Sequence, residues 1–421
     1  MLPITLLKIV LFTISLSFVN SYKILVIYPT GSYSHQRPQQ EVSKGLAAAG
    51  HEVTILTPNP FETNDPKIRQ IDINVTYNAM KVFSMSDRIG RYGFFEFFGV
   101  YIKNISESVF EIPEVMEIYK KTKNEKFDAI VMEPLFHFPF FVIKEIYDAP
   151  MIGLASLEMM PGFHKAMGNV IHPVLHPSLF LEQVDKPSLW ERIDMVYFQF
   201  WLDYYDNYLL RPASDAIIEK YFPELKVKSD SLIKSFDFMI EGSTPVLGTV
   251  RPLVPNTVQI GFLHITEPKK LPTGLQTYLD ESENGVIYLS FGSNVKSAQL
   301  RPQVRQVLIE TIKKLKYNVI WKFENETLAD KPDNCKIQKW LPQQDLLAHK
   351  NIKLFITQGG LQSMEETISR GVPVVVIPFF GDQDANADRI VKLGIGRRVN
   401  LDELSVEKLE ANILEVINNP K

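Results

Sequence analysis

The chain has 421 residues, a length that suits two domains of ordinary size better than a single core. Its 45% hydrophobic and 22% charged residues, with a mean hydropathy of -0.04, fit a globular protein and exclude a multispanning membrane protein. Lys and Arg number 45 against 49 Asp and Glu, a net charge of -4, and no basic run is present, so nucleic acid is not an expected partner.

Residues 1–21 place one lysine before an apolar run of about a dozen residues and then small polar ones, the layout of a secretory signal peptide. The run is shorter than the ~20 residues that a membrane span needs. Three acceptor triplets, at Asn74, Asn104 and Asn325, agree with passage through the secretory pathway. The single cysteine, Cys335, allows no internal disulfide.

After the leader, "YKILVIYP" predicts a buried strand, "PQQEVSKGLAAAG" an amphipathic helix closed by Gly50, and "HEVTILTP" a second strand. "FDAIVME" and "APMIGLAS" continue the alternation, so the first half is expected to be a doubly wound parallel sheet. Two aromatic-rich stretches interrupt it, "YGFFEFFGVYIKNI" and "LWERIDMVYFQFWLDYYDNYLLRP". They either pack the core or wall an apolar pocket. Proline-marked segments over residues 244–274 suggest an interdomain connection. Beyond it "GVIYLSFGS", a helix over 301–315, "NVIWKF", "KIQKW", "LFITQGG", a helix to Arg370 and "VPVVVIPFF" repeat the pattern.

Parallel sheets bind ligands beyond the carboxyl ends of their strands, and the residues with chemistry cluster there. Gly359 and Gly360 follow "LFIT" and precede a helix, an arrangement that presents backbone N–H groups and a helix dipole to an anion such as phosphate. Ser363 and Glu366 also fit a capping box that would bind no ligand. Gly292 and Ser293 form a second small-residue turn, and Trp340 offers a flat face on which a nucleobase could stack. Asp382-Gln383-Asp384 raises a divalent metal, but two carboxylates on one turn make a poor site, and Asp382 and Gln383 are better suited to sugar hydroxyls. In the first half, His35 lies in the predicted loop "TGSYSHQRP" and Glu133 ends "FDAIVME", a pairing suited to a general base. Serine-hydrolase and zinc motifs are absent from the sequence.

These residues give the chain a resemblance to the UDP-glycosyltransferase family, and within it to the animal branch and its insect members. The likeness is carried by "WLPQQDLLAHKNIKLFITQGGLQSMEETISRGVPVVVIPFFGDQDANA", "VRPLVPNTVQIGFLH" and "ENGVIYLSFGS". It implies a GT-B fold, α/β with two Rossmann-like domains facing a cleft: an acceptor-binding domain over 22–262 and a UDP-sugar-binding domain over 263–421. By matching position it implies Trp340 against uracil, and Gln343 and Glu366 at the ribose. It also implies Ser293, Gln358, Gly360 and Ser363 around the diphosphate, Gly359 and Gln362 elsewhere in the UDP-sugar site, Asp382 and Gln383 at the sugar, and His35 as the base with Glu133 behind it.

The implied reaction is inverting transfer of a hexose, glucose on the insect likeness, to a small lipophilic acceptor, with no metal and no cofactor beyond the UDP-sugar co-substrate. The implied setting is the endoplasmic reticulum lumen and membrane, with homo-oligomer formation open, and with further helices and a membrane span expected after residue 421. Two departures stand out. Gln358 occupies a position that is histidine in many members, and Glu133 one that is usually aspartate, so a lumenal ligand-binding or UDP-binding protein with little or no transferase activity is the alternative expectation.

Overall fold

The computed structural model describes residues 21–80, 88–182 and 184–419; the expected signal peptide lies outside them apart from Ser21. Thirteen strands among the described residues form two sheets. The first has the order β3-β2-β1-β4-β5-β6-β7, with β1 at Lys23–Ile27, β2 at Glu52–Thr57, β3 at Ile68–Asp72, β4 at Ala129–Met132, β5 at Met151–Leu154, β6 at Phe238–Glu241 and β7 at Thr257–Gln259. The second has the order β10-β9-β8-β11-β12-β13, with β8 at Val286–Ser290, β9 at Asn318–Lys322, β10 at Cys335–Gln338, β11 at Ile352–Thr357, β12 at Val374–Val376 and β13 at Gly396–Arg398. Every pairing is parallel.

Central strands such as "VIYLS" of β8 are buried along their whole length, because helices cover both faces of a parallel sheet and leave no solvent side for polar residues. In each sheet the strand order reverses once, between β1 and β4 and between β8 and β11. Chain leaving neighbouring strands there turns to opposite faces and opens a crevice at the carboxyl ends. The two crevices position the site.

The helices that matter for the site are α1 (Tyr33–Ala48), α2 (Arg91–Phe110), α3 (Leu189–Tyr205), α4 (Arg211–Tyr221), α5 (Pro302–Lys314), α6 (Leu361–Arg370), α7 (Gln383–Lys392) and α8 (Val406–Asn418). A π-turn at Asp206–Leu210 joins α3 to α4. Pro212 lacks the N–H that a regular helix would use to bond back one turn, and a wider turn accommodates it. The aromatic stretches are α2 and the α3–α4 rod. Their inner faces interlock through Tyr92 with Trp201 (ring centroids 4.8 Å) and Phe95 with Trp201 (5.6 Å).

Two sequence expectations change. The segment over 244–274 is not all connection, since β7 lies within it. Helix α1 starts at Tyr33, five residues before Pro38, rather than at the proline. A proline in the second turn removes one internal hydrogen bond without blocking the helix before it.

Candidate functional site

The α1 boundary moves His35 out of the expected loop and into the first turn of α1. Its Nδ1 lies 3.2 Å from Oε1 of Glu133 and 2.7 Å from Oγ of Ser156. Glu133 is the residue immediately after β4 and is 1% exposed. Thr30, in the turn after β1, donates its hydroxyl to Oε2 of Glu133 at 2.6 Å and stands 2.8 Å from Nε2 of His137. Burial alone would raise the Glu133 carboxyl. The hydrogen bond and charge of His35, then His137 and Thr30, outweigh it and hold the group below the usual carboxylate range. His137 is pushed down to about 4 by burial, which exceeds the opposing pull of Glu133.

In front of His35 is a cavity of about 100 Å³. Phe94, Phe98 and Tyr101 of α2 line it together with Leu179, Phe180 and Phe380. Phe94 and Phe380 stack at 6.0 Å and 20°. The polar end carries His35, Gln358, Gly360, Gln362, Asp382 and Gln383. Burial raises the Asp382 carboxyl, opposed by the 2.7 Å hydrogen bond from Asn386 and by the charge of His35. Gln383 Oε1 accepts from the backbone N–H groups of Phe379 (2.8 Å) and Phe380 (3.2 Å), so the fold uses its carbonyl and its amide group remains as a donor. Asp384 is engaged elsewhere, accepting from Arg398 at 2.6 Å and Arg88 at 3.5 Å. The D-x-D carboxylates therefore have separate partners, and no cluster of three metal-ligating side chains occurs among the described residues.

A second, larger cleft of about 280 Å³ adjoins the first and shares Ser34 and Gln362 with it. Trp340 is 49% exposed at its mouth and meets the edge of Tyr33 from the other lobe at 4.8 Å. Gln343 accepts from the Tyr288 hydroxyl at 2.9 Å and donates to Ser363 Oγ (2.9 Å) and Glu366 Oε2 (2.6 Å). The capping-box alternative does not form. The α6 N-cap is Gly360 with no side-chain cap, which puts Ser363 and Glu366 inside the helix and facing the cleft.

Ser293 Oγ is buried without a protein partner, as is Oε1 of Gln358. Gly359 has a φ of 89°, and a Cβ there would stand 2.6 Å from Val376, so this tight turn admits glycine alone. Gly359 itself lines neither cavity; its carbonyl accepts from Asn386 at 2.9 Å. Glu133 also lies behind the cavity wall rather than on it.

The family profile described as "UDP-glucoronosyl and UDP-glucosyl transferase" matches residues 22–421. The chain belongs to the UDP-glycosyltransferase family. An ecdysteroid UDP-glucosyltransferase of Spodoptera littoralis nuclear polyhedrosis virus is 27% identical over 98% of this chain and 85% of its own length. UDP-glycosyltransferase UGT4 of Dactylopius coccus is 30% identical over 98% and 82%. Among solved structures, the glycotransferase of kitacinnamycin superposes with a TM-score of 0.59 at 19% identity, covering 95% of this chain and 92% of that one. Os79 from O. sativa in complex with UDP gives 0.62 at 15%, covering 94% and 91%. These likenesses bear out the GT-B fold and a glycosyltransferase that uses a UDP-sugar.

In this UDP-glycosyltransferase the lobes touch around the two cavities. Gln362 donates to the Ser156 carbonyl at 2.6 Å, Asn294 to Ser32 Oγ at 3.1 Å, and Arg389 to the buried Glu158 at 3.3 Å. Sequence reasoning missed Thr30, His137, Ser156 and Tyr33. Position after β1 and β5, beyond strand ends, could have flagged Thr30 and Ser156; His137 carries no comparable signal.

Proposed function

We propose that the protein transfers glucose from UDP-glucose to a hydroxyl of a small lipophilic acceptor, with inversion and without a metal or other cofactor. The observation that carries this reading is the position of His35. It opens onto an aromatic cavity, is backed by an ionised carboxylate, and adjoins the cleft that holds the residues suited to a nucleotide.

The acceptor would lie among the phenylalanines, and Nε2 of His35 would take its proton as the oxygen attacks the anomeric carbon. Glu133 would accept the Nδ1 hydrogen and stabilise the imidazolium. Asp382 and Gln383 would hold sugar hydroxyls. The diphosphate would leave against Ser293, Gln358 and the α6 N-terminus, whose unpaired N–H groups and dipole favour the growing negative charge. Trp340, Gln343 and Glu366 would hold the uridine. The unpartnered Ser293 hydroxyl supports an anionic ligand there, since it can donate to a phosphate oxygen and buried polar atoms ordinarily have partners. Glucose as the sugar rests on relatives named as glucosyltransferases.

The reading extends to the endoplasmic reticulum, with the chain in the lumen and against its membrane. The leader supports this, as do exposed Asn74 and Asn325 and an exposed aromatic row on the α3–α4 rod that includes Trp190, Tyr197, Phe200, Tyr204 and Tyr208. Among the described residues no helix is long and apolar enough to cross a membrane.

The decisive experiment pairs His35→Ala with a phenol panel and labelled UDP-glucose. Turnover should vanish while UDP still binds, and EDTA should leave the unmodified enzyme active. Full turnover by the variant, or inhibition by EDTA, would overturn the assignment.

A further inference from the structure

We propose that Thr30 and His137 form the outer part of a buried hydrogen-bonded chain, from His137 Nε2–H through the Thr30 hydroxyl to Glu133 Oε2, which aims the opposite carboxylate oxygen at His35. The proposal rests on His35 being the base. It makes Thr30 and His137 positioning residues, neither of which needs to touch the reacting atoms.

The direction of each bond follows from counting protons. Thr30 has one hydroxyl hydrogen, and it goes to the ionised carboxylate at 2.6 Å. At 2.8 Å from His137 Nε2 the same oxygen can then only accept, so Nε2 carries the ring proton. The other ring nitrogen, Nδ1, is buried with no protein partner, as a neutral ring protonated on Nε2 allows. His137 is 0% exposed, and its ring packs against Tyr101 and Phe140 at centroid distances of 6.2 and 6.0 Å. Nε2 stands 3.8 Å from Glu133 Oε2, too far for a hydrogen bond of its own, so what the imidazole gives the cluster is the N–H to Thr30.

Glutamate needs this second anchor because it has one more rotatable bond than aspartate. A hydrogen bond at Oε1 alone would leave the carboxylate free to swing about its last torsion. With Thr30 on Oε2 and His35 on Oε1, both oxygens are engaged and the plane of the carboxylate is set. The ionisable groups facing Glu133 are His35, His137, Tyr28 and Tyr101. Burial keeps the two phenols protonated, so the carboxylate carries the negative charge of the cluster.

The test is a double-mutant cycle between Thr30→Val and Glu133→Gln, read as kcat and as KM for UDP-glucose. Thr30→Val should lower kcat about tenfold with KM changed less than about twofold, and Thr30→Ser should recover most of the loss. In the Glu133→Gln background, Thr30→Val should add almost nothing, because there is no aligned carboxylate left to disturb. His137→Phe, which fills the same space without a donor, should follow the same pattern and serves as the second variant if Thr30→Val folds poorly. Wild-type kcat in Thr30→Val, or equal losses with and without the Glu133 carboxylate, would overturn the chain. Turnover surviving His35→Ala would instead sink the underlying base assignment.

Discussion

Ser156 Oγ lies 2.7 Å from Nδ1 of His35, closer than the Glu133 oxygen that shares the same nitrogen at 3.2 Å. One N–H cannot serve two acceptors at full strength, and the charged one stabilises an imidazolium far better than a hydroxyl does. Removing Ser156 Oγ should therefore hand the proton wholly to Glu133. Ser156→Ala is expected to keep kcat within about threefold of the parent, whereas Glu133→Ala should lose about 100-fold or more. Steady-state assays at saturating UDP-glucose compare them directly. A Ser156→Ala loss as large as that of Glu133→Ala would mean that the hydroxyl, and not the carboxylate, orients the ring.

Gly292 and Gln358 meet across the two strand ends of the second crevice. A Cβ on Gly292 would come within 2.5 Å of Gln358 Nε2, and its φ of 72° is one that side-chain-bearing residues rarely adopt. Gly292→Ala should destabilise the protein by about 1–2 kcal/mol from backbone strain. It should also displace the Gln358 amide and raise KM for UDP-glucose with little change in the acceptor KM. Thermal denaturation and two-substrate kinetics check the two halves separately. A normal KM for the nucleotide sugar would show that Gln358 does not contact it.

Most of the architecture was legible in the residues because buried parallel strands must be almost wholly apolar. "KILVI", "EVTILT" and "VIYLS" announce themselves. The strands that escaped are β3 ("IRQID"), β6 ("FMIE"), β7 ("TVQ") and β13 ("GRR"). Of these β3, β7 and β13 are edge strands, packed on one side only, where polar residues are tolerated and no run develops.

The same division holds at the site. Gly360, Asp382 and His35, which line the first cavity, could be found from position after a strand and from residue type. Thr30 follows a strand end, but its partner Glu133 is 103 residues away, and His137 gains meaning only through Thr30 and Glu133. A contact of that separation leaves no periodic trace in the chain. The start of α1 differs for a local reason: proline is common at a helix entrance, but Pro38 sits in the second turn.

Trp340 is half-exposed at the mouth of the larger cleft, edge-on to Tyr33 of the opposite lobe and 5.7 Å from Lys322 Nζ. An indole that serves the core would be buried, as Trp321 is. Stacking of a base on an aromatic face contributes about 1–3 kcal/mol. Trp340→Ala should therefore weaken UDP binding roughly 5- to 150-fold in calorimetry, with little change in melting temperature without ligand. Trp340→Phe should retain most of the affinity. Unchanged UDP binding in Trp340→Ala would place the uracil elsewhere.

Acid stability supplies a check on the buried groups that needs no substrate. His164 is pushed down to about 3 and His137 to about 4, each chiefly by burial, from an ordinary value of 6.5. Between 6.5 and those values the unfolded chain binds protons that the folded one does not, so their contribution is full above 6.5 and is lost as pH falls. Glu241, raised to about 7 by burial and by Glu158, works in the opposite sense. Folded Glu241 holds a proton that the unfolded chain releases above 4.5, so its contribution is lost as pH rises towards 7. Two imidazoles against one carboxyl leave a net loss of stability from these three groups on acidification from 6.5, and because Glu241 drops out near 4.5 and His137 near 4, the loss below that is carried by His164 alone. His164→Gln should be less stable at pH 7, because a packed buried ring is replaced. Its stability should nevertheless fall less steeply between pH 6 and 4, by up to about 1.4 kcal/mol per pH unit. Urea denaturation across that range measures both slopes, and parallel curves for parent and variant would show that His164 is not held neutral in the fold.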